Sequence, residues 1–143
     1  MATTMEELLE GLNLDLAAEF QAVITYRVFA SLATGPYRSE VRDFFESEIP
    51  DELSHAQFLA DKIVALGGTP TTEPLPVELT RDNREMFEIA LKAETEAIAR
   101  YEERVAQAEE LNLTGLKVRL EDLIVDETGH KEEIERRLHN WKE

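Results

Sequence analysis

The chain has 143 residues, enough for one domain with its own core, and carries 31 acidic against 15 basic side chains, a formal charge of −16. A field of that sign repels nucleic acid and anionic membrane surfaces and concentrates cations, so neither a nucleic-acid nor a membrane partner is expected. The absence of cysteine excludes disulfides, thiolate metal sites and cysteine nucleophiles, while 6 Gly, 5 Pro and a vocabulary rich in Ala, Leu, Glu, Lys and Arg predict an all-α fold.

The first ten residues, Met1 to Glu10, hold acids and lack the basic and apolar regions of a secretion signal. No apolar run approaches the roughly 20 residues of a membrane span, so a cytoplasmic protein is expected. A first helix is predicted over about 5–32, with Leu12, Leu16, Val23 and Tyr26 on one stripe. After a break at Gly35-Pro36, a second is predicted over about 39–66, with Phe45, Leu59 and Leu66, ending at Gly67-Gly68. The stretch from Gly67 to Leu79 contains Pro70, Pro74 and Pro76. Extended, it reaches roughly 40 Å, about the length of a 28-residue helix. It can therefore cross the whole bundle as a stiff strap. A third helix, over about 81–110, opens at Thr80 or Asp82 and shows Phe87, Leu91, Ile98, Tyr101 and Val105. A fourth, over about 115–140, shows Leu116, Leu120, Leu123, Ile134, Leu138 and Trp141. Short links within each pair favour antiparallel neighbours. The expected architecture is one domain over 1–143, an antiparallel four-helix bundle with a long crossover between helices two and three.

Polar residues interrupt each stripe near its middle: Glu19 in the first, Glu52 and His55 in the second, Glu94 in the third, Glu127 and His130 in the fourth. All six are expected to point inward. Burying several carboxylates without a counter-charge costs several kcal/mol each, in order of magnitude. Two divalent cations would cancel four carboxylates, and neutral imidazoles add ligand atoms without charge. Oxygen and nitrogen donors suit iron, manganese or zinc.

The spacing carries more weight. Glu19 and Glu94, Tyr26 and Tyr101, Asp51 and Asp126, Glu52 and Glu127, and His55 and His130 are each separated by 75 positions. The chain thus reads as two hairpins, each with Glu, Tyr seven later, then Asp-Glu-x-x-His. This pattern resembles the ferritin-like di-iron carboxylate proteins, which take a Glu from two helices and Glu-x-x-His from the other two. In the ligand motif it is most similar to bacterioferritin.

That resemblance implies two iron ions bridged by Glu52 and Glu127, with Glu19 and His55 completing one shell and Glu94 and His130 the other. Asp51 and Asp126 either accept the free N–H of a metal-bound histidine or are exposed acids. Tyr26 and Tyr101 either hydrogen-bond carboxylates of the site or are plain core aromatics. Leu53 stands where bacterioferritin has its haem-ligating Met, so no haem is expected, and Ala97 stands where rubrerythrins carry an extra Glu. The chain stops at Glu143 without a fifth helix, which puts a closed cage in doubt.

The function implied is binding and oxidation of Fe(II) by O2 or peroxide, a ferroxidase serving iron storage or detoxification. A self-contained di-metal peroxidase, catalase or oxidase using Fe or Mn is the alternative. A bundle merely stapled by its metals is the third. His139 reads as surface, and Pro50 as a missing hydrogen bond inside helix two. Leu9, Phe29, Phe44 and Phe58 flank the stripes and either face a partner, making the chain at least a homodimer, or complete its own core.

Overall fold

A computed structural model describes residues 2–142; Met1 and Glu143, the outer bounds of the expected domain, lie outside the described residues. Four α-helices, α1 (Met5–Leu32), α2 (Arg38–Ala65), α3 (Asn83–Glu110) and α4 (Thr114–Leu138), account for the secondary structure, and no strand occurs among the described residues. The ends follow local chemistry. Thr4 caps α1 by accepting from the Glu7 backbone N–H at 3.1 Å, and Asp82 caps α3 by accepting from Arg84 N–H at 3.0 Å. At the end of α2, Gly67 takes φ +91°, which lets the Gly67 and Gly68 amides fold back onto the Val64 and Ile63 carbonyls. Helix α2 runs through Pro50 without ending, although Pro50 offers no N–H to the turn before it.

Helices α1 and α2 form one hairpin and α3 and α4 the other. The side-chain pairs fix how the hairpins face. Tyr101 pairs with Glu19 and Tyr26 with Glu94, so α3 descends seven residues as α1 climbs seven. His130 meets Asp51 and Asp126 meets His55, which makes α2 and α4 antiparallel in the same way.

The crossover is laid along α1. Gly68 sits against Leu9, Asn13 bonds the Thr69 carbonyl and the Thr71 amide, Leu75 N–H reaches Ala17 O, and Gln21 holds the Pro76 carbonyl. The far end arrives beside Thr34, where Asn83 bonds its carbonyl at 2.8 Å. The strap therefore spans α1 from its first turns to its last, as the prolines and the loop's reach predict.

The core has two lobes. One is mainly aliphatic, with Leu8, Leu12, Leu16, Leu59, Ile63 and Leu120. The other is aromatic, with Phe29, Phe44, Phe45 and Phe87, where Phe45 and Phe87 stack at 5.0 Å. Phe29 and Phe44 are buried here, so they complete the core of this chain; Leu9 and Phe58 are half-buried and pack against the aliphatic lobe.

Three local expectations need correction. On α3 the inward stripe is Met86, Phe87, Ala90, Glu94, Ala97, Tyr101, Arg104 and Ala108, while Leu91, Ile98 and Val105 are half-buried on its flanks. Small side chains hold the central positions, and bulk alone points to the wrong face. Helix α4 ends at Leu138, and Trp141 lies beyond it with its ring 5.5 Å from Phe87. The stripes also carry more than one kind of interruption: Asp15, Glu48 and Arg104 are buried too.

Candidate metal centre

The six inward residues meet between the two lobes. Glu19, Glu52, Glu94 and Glu127 are at most 2% exposed, and His55 and His130 are 4% and 9% exposed. Each comes from mid-helix, where the i, i+3 spacing of Glu52-His55 and Glu127-His130 sets carboxylate and imidazole on one face.

Their donor atoms fall into two overlapping groups, each compatible with one metal ion: Glu19, Glu52, His55 and Glu127, and Glu52, Glu94, Glu127 and His130. Glu52 and Glu127 are common to both. Each of the six has one buried polar atom without a hydrogen-bond partner: Glu19 Oε2, Glu52 Oε1, His55 Nδ1, Glu94 Oε2, Glu127 Oε1 and His130 Nδ1. A buried polar atom left unpaired ordinarily costs about 1–3 kcal/mol. Six converging on one place form a donor set that two cations would satisfy, with oxygen and nitrogen in the proportion suited to iron, manganese or zinc.

The surrounding groups fix these donors. His55 Nε2 lies 2.9 Å from Asp126 Oδ2 and His130 Nε2 lies 3.0 Å from Asp51 Oδ2. With Nε2–H donated to the aspartate, the Nδ1 lone pair of each ring is directed into the cluster. Each aspartate thus serves the histidine of the other helix, although its own side chain is about half exposed, 55% for Asp51 and 52% for Asp126. The tyrosines also cross over. Tyr26 donates from α1 to Glu94 Oε1 on α3 at 2.7 Å, and Tyr101 donates from α3 to Glu19 on α1.

Protons compete for the same atoms. Burial and the neighbouring Glu19 and Glu127 carboxylates push Glu52 well above the usual carboxyl range. Burial, with the Glu127 carboxylate beside it, does the same to Glu94. Burial alone would raise Glu127 as well, but the neighbouring Glu94, His130 and His55 hold it low. Burial would lower His55, yet the Glu127 and Glu19 carboxylates facing Nδ1 at 3.2 and 3.5 Å push it up to about 11; carboxylates raise His130 in the same way. Burial and the adjacent Glu94 and Glu19 carboxylates keep Tyr26 and Tyr101 as phenols rather than phenolates.

A slot of about 20 Å³ between α1 and α3, lined by Ala18, Ala22, Ala93 and Ala97, reaches the four glutamates. Its lining repeats at the same 75-residue offset, Ala18 with Ala93 and Ala22 with Ala97. Arg100 stands beside it, 3.8 Å from the buried Asp15.

Sequence reasoning missed three buried charged groups. Glu48 lies one turn before Glu52, its Oε2 2.7 Å from His130 Nε2. Asp15 and Arg104 form an ion pair at 2.9 Å, one turn beyond Glu19 and Tyr101 respectively. Their signal was the same as the glutamates': a charge at helical spacing on an inward stripe.

A ferritin-like domain profile matches residues 9–143. The chain belongs to the ferritin-like family. Among related ferritin-like proteins, bacterioferritin from Streptomyces coelicolor is 30% identical over 134 residues, covering 92% of this chain and 80% of that one. Bacterioferritin BfrA of Mycobacterium tuberculosis is 26% identical over 133 residues, covering 92% and 84%. The fold is similar to that of ferritin-like, diiron-carboxylate proteins from Bacillus anthracis str. Ames, with TM-score 0.93 and 54% identity over 96% of this chain and 99% of that one. It is also similar to Rhodobacter capsulatus bacterioferritin, whose structure has a metal-free dinuclear site and haem iron, with TM-score 0.82, 25% identity, and 97% and 87% covered. In this ferritin-like chain Leu53 is half-exposed on α2, and no helix among the described residues is long and apolar enough to cross a membrane.

Proposed function

We propose that this ferritin-like protein is a ferroxidase of iron storage or detoxification, which binds two Fe(II) ions between Glu19, Glu52, His55, Glu94, Glu127 and His130 and oxidises them. The observation that carries this reading is the set of six buried, unpartnered donor atoms, one from each residue, in two groups that share Glu52 and Glu127. The metals supply the redox chemistry: each Fe(II) gives one electron, and two electrons with two protons take O2 to hydrogen peroxide or peroxide to water.

The chain's own residues bind, orient and screen. Four carboxylates balance the charge of two divalent ions. Asp51 and Asp126 hold the Nε2 edge of each imidazole, which turns Nδ1 towards the cluster, and Tyr26 and Tyr101 hold Glu94 and Glu19 in place through a hydroxyl each. The apolar lobes on either side keep bulk water from the donors, and the alanine-lined slot offers a path for a small oxidant.

The self-contained di-metal oxidase or peroxidase is the second reading. The Bacillus anthracis structure, named for diiron-carboxylate proteins and 54% identical, favours a fixed metal pair as much as iron storage. A homo-oligomer is part of this proposal; the dodecameric, bacterioferritin-related thioferritin of Bacteroides fragilis, 24% identical, shares the fold alone.

Sedimentation before and after aerobic Fe(II) loading beyond two ions per chain, with O2 uptake recorded alongside, separates these readings. The proposed function expects O2 uptake coupled to Fe(II) oxidation and surplus iron retained in a soluble, heavier particle. A small oligomer holding only two ions per chain, with the surplus precipitating, would leave the di-metal oxidase or peroxidase. Stable binding without O2 uptake would remove both.

A further inference from the structure

The 75-residue repeat extends from sequence to contacts, which makes its exceptions informative. Glu19 and Glu94, the two tyrosines, the two aspartates and the two Glu-x-x-His pairs all have counterparts with matching partners. Glu48 does not. Its counterpart is Leu123, a core residue of the aliphatic lobe. Glu48 is 7% exposed, and its Oε2 lies 2.7 Å from His130 Nε2, the atom that Asp51 faces at 3.0 Å. Among the described residues, His55 Nε2 faces Asp126 alone. Among the described residues no arginine or lysine pairs with Glu48.

The other break in the repeat deepens the contrast. Asp15 and Arg104 correspond to Ala90 and Phe29, so the Tyr101 end of the site gains a carboxylate and a guanidinium that offset each other. The His130 side therefore carries one more carboxylate, nearly buried and with no arginine or lysine among the described residues to offset it. The His55 side does not.

On the reading of a two-metal site, we propose that Glu48 is a positioning residue that makes the two metal positions unequal, so that the first divalent cation binds on the His130–Glu94 side. Two effects act together. A carboxylate at Nε2–H strengthens the imidazole as a donor through Nδ1 and fixes its ring. A buried negative charge close to the ion also attracts it more strongly than the same charge in water. The consequence is stepwise loading: a tighter position of Glu94, His130 and the shared glutamates, then a weaker one of Glu19 and His55.

The test is anaerobic titration calorimetry with Co(II) alone as the probe, on the full chain. Wild type binds two ions in two resolved steps. Glu48→Gln keeps the shape and an acceptor oxygen while removing the charge; it weakens the first step by roughly 10-fold or more and draws the two steps together. Glu48→Leu, which copies Leu123, does the same and guards against an effect peculiar to glutamine. Two further backgrounds locate the effect. In His55→Ala, where the His130 side remains, Glu48→Gln weakens the remaining ion by roughly 10-fold. In His130→Ala it leaves the remaining ion nearly unchanged.

An equal loss in both backgrounds, or none in His55→Ala, overturns the role of Glu48 while leaving the two-metal reading intact. Wild type that fails to bind two Co(II) ions overturns both.

Discussion

Tyr101 on α3 and Glu19 on α1 are joined across the bundle, as are Tyr26 and Glu94, so each tyrosine steadies a carboxylate it does not share a helix with. Tyr101→Phe leaves a Glu19 oxygen without that donor. It should destabilise the chain by about 1–2 kcal/mol in urea unfolding and weaken one bound ion by roughly 10-fold in a Co(II) titration. An unchanged affinity would make the tyrosine a core aromatic only. Asp15 gives a residue-scale test by pH. Burial raises its carboxyl to about 6 against the pull of Arg104 and Arg100. A carboxyl raised on folding stabilises the native state below its unfolded value of 3.8, and that contribution is lost as pH rises through about 6. The difference between 3.8 and about 6 corresponds to roughly 3 kcal/mol. In chelator-treated protein, the stability of wild type relative to Asp15→Asn should therefore fall by about that amount between pH 4 and pH 7.5, measured by urea unfolding. A difference independent of pH would contradict it. The candidate donors themselves were legible in the sequence, because carboxylates and imidazoles interrupting apolar stripes at a repeated offset have few physical explanations. Glu48, Asp15 and Arg104 were not, because they break that repeat, and the repeat was what separated meaningful charges from solvated ones.

At the scale of the helix, glycines show how the site's surroundings override propensity. Gly11 faces Arg104, and a Cβ there would collide with the guanidinium that is pinned to Asp15. Gly129, inside α4, has open space around it. Glycine to alanine within a helix ordinarily stabilises by about 1 kcal/mol. Gly129→Ala should gain about that amount. Gly11→Ala should instead lose roughly 1–3 kcal/mol by overpacking and loosening a buried ion pair. Thermal unfolding of the two variants side by side checks the contrast; equal gains would mean that Arg104 moves aside freely. The end of α2, the start of α3 and the strap were readable because Gly67-Gly68, Asp82 and three prolines act locally. The inward face of α3 was not, because Ala90 and Ala97 sit centrally where the neighbouring helix needs room, and hydrophobic bulk is then a misleading guide.

Across the whole molecule, one polar layer divides an aliphatic lobe from an aromatic one, and cations are expected to bind the folded chain alone. A ligand at 100 times its Kd adds about 2.7 kcal/mol. Two such ions should raise the melting temperature by roughly 10 °C or more. Glu127→Ala removes a carboxylate common to both groups and should abolish most of that rise. The net charge of −16 favours delivery of cations to the surface, and it was plain from composition. Assembly was not: Phe29 and Phe44, candidates for a partner face, turned out to be filled by the chain's own core. The most direct measurement of the central claim is anomalous diffraction at the iron edge from crystals soaked anaerobically in Fe(II). Two peaks are expected among the six residues, one on the His55–Glu19 side and one on the His130–Glu94 side, with Glu52 and Glu127 between them. A single peak, or iron only among exposed acids, would contradict it.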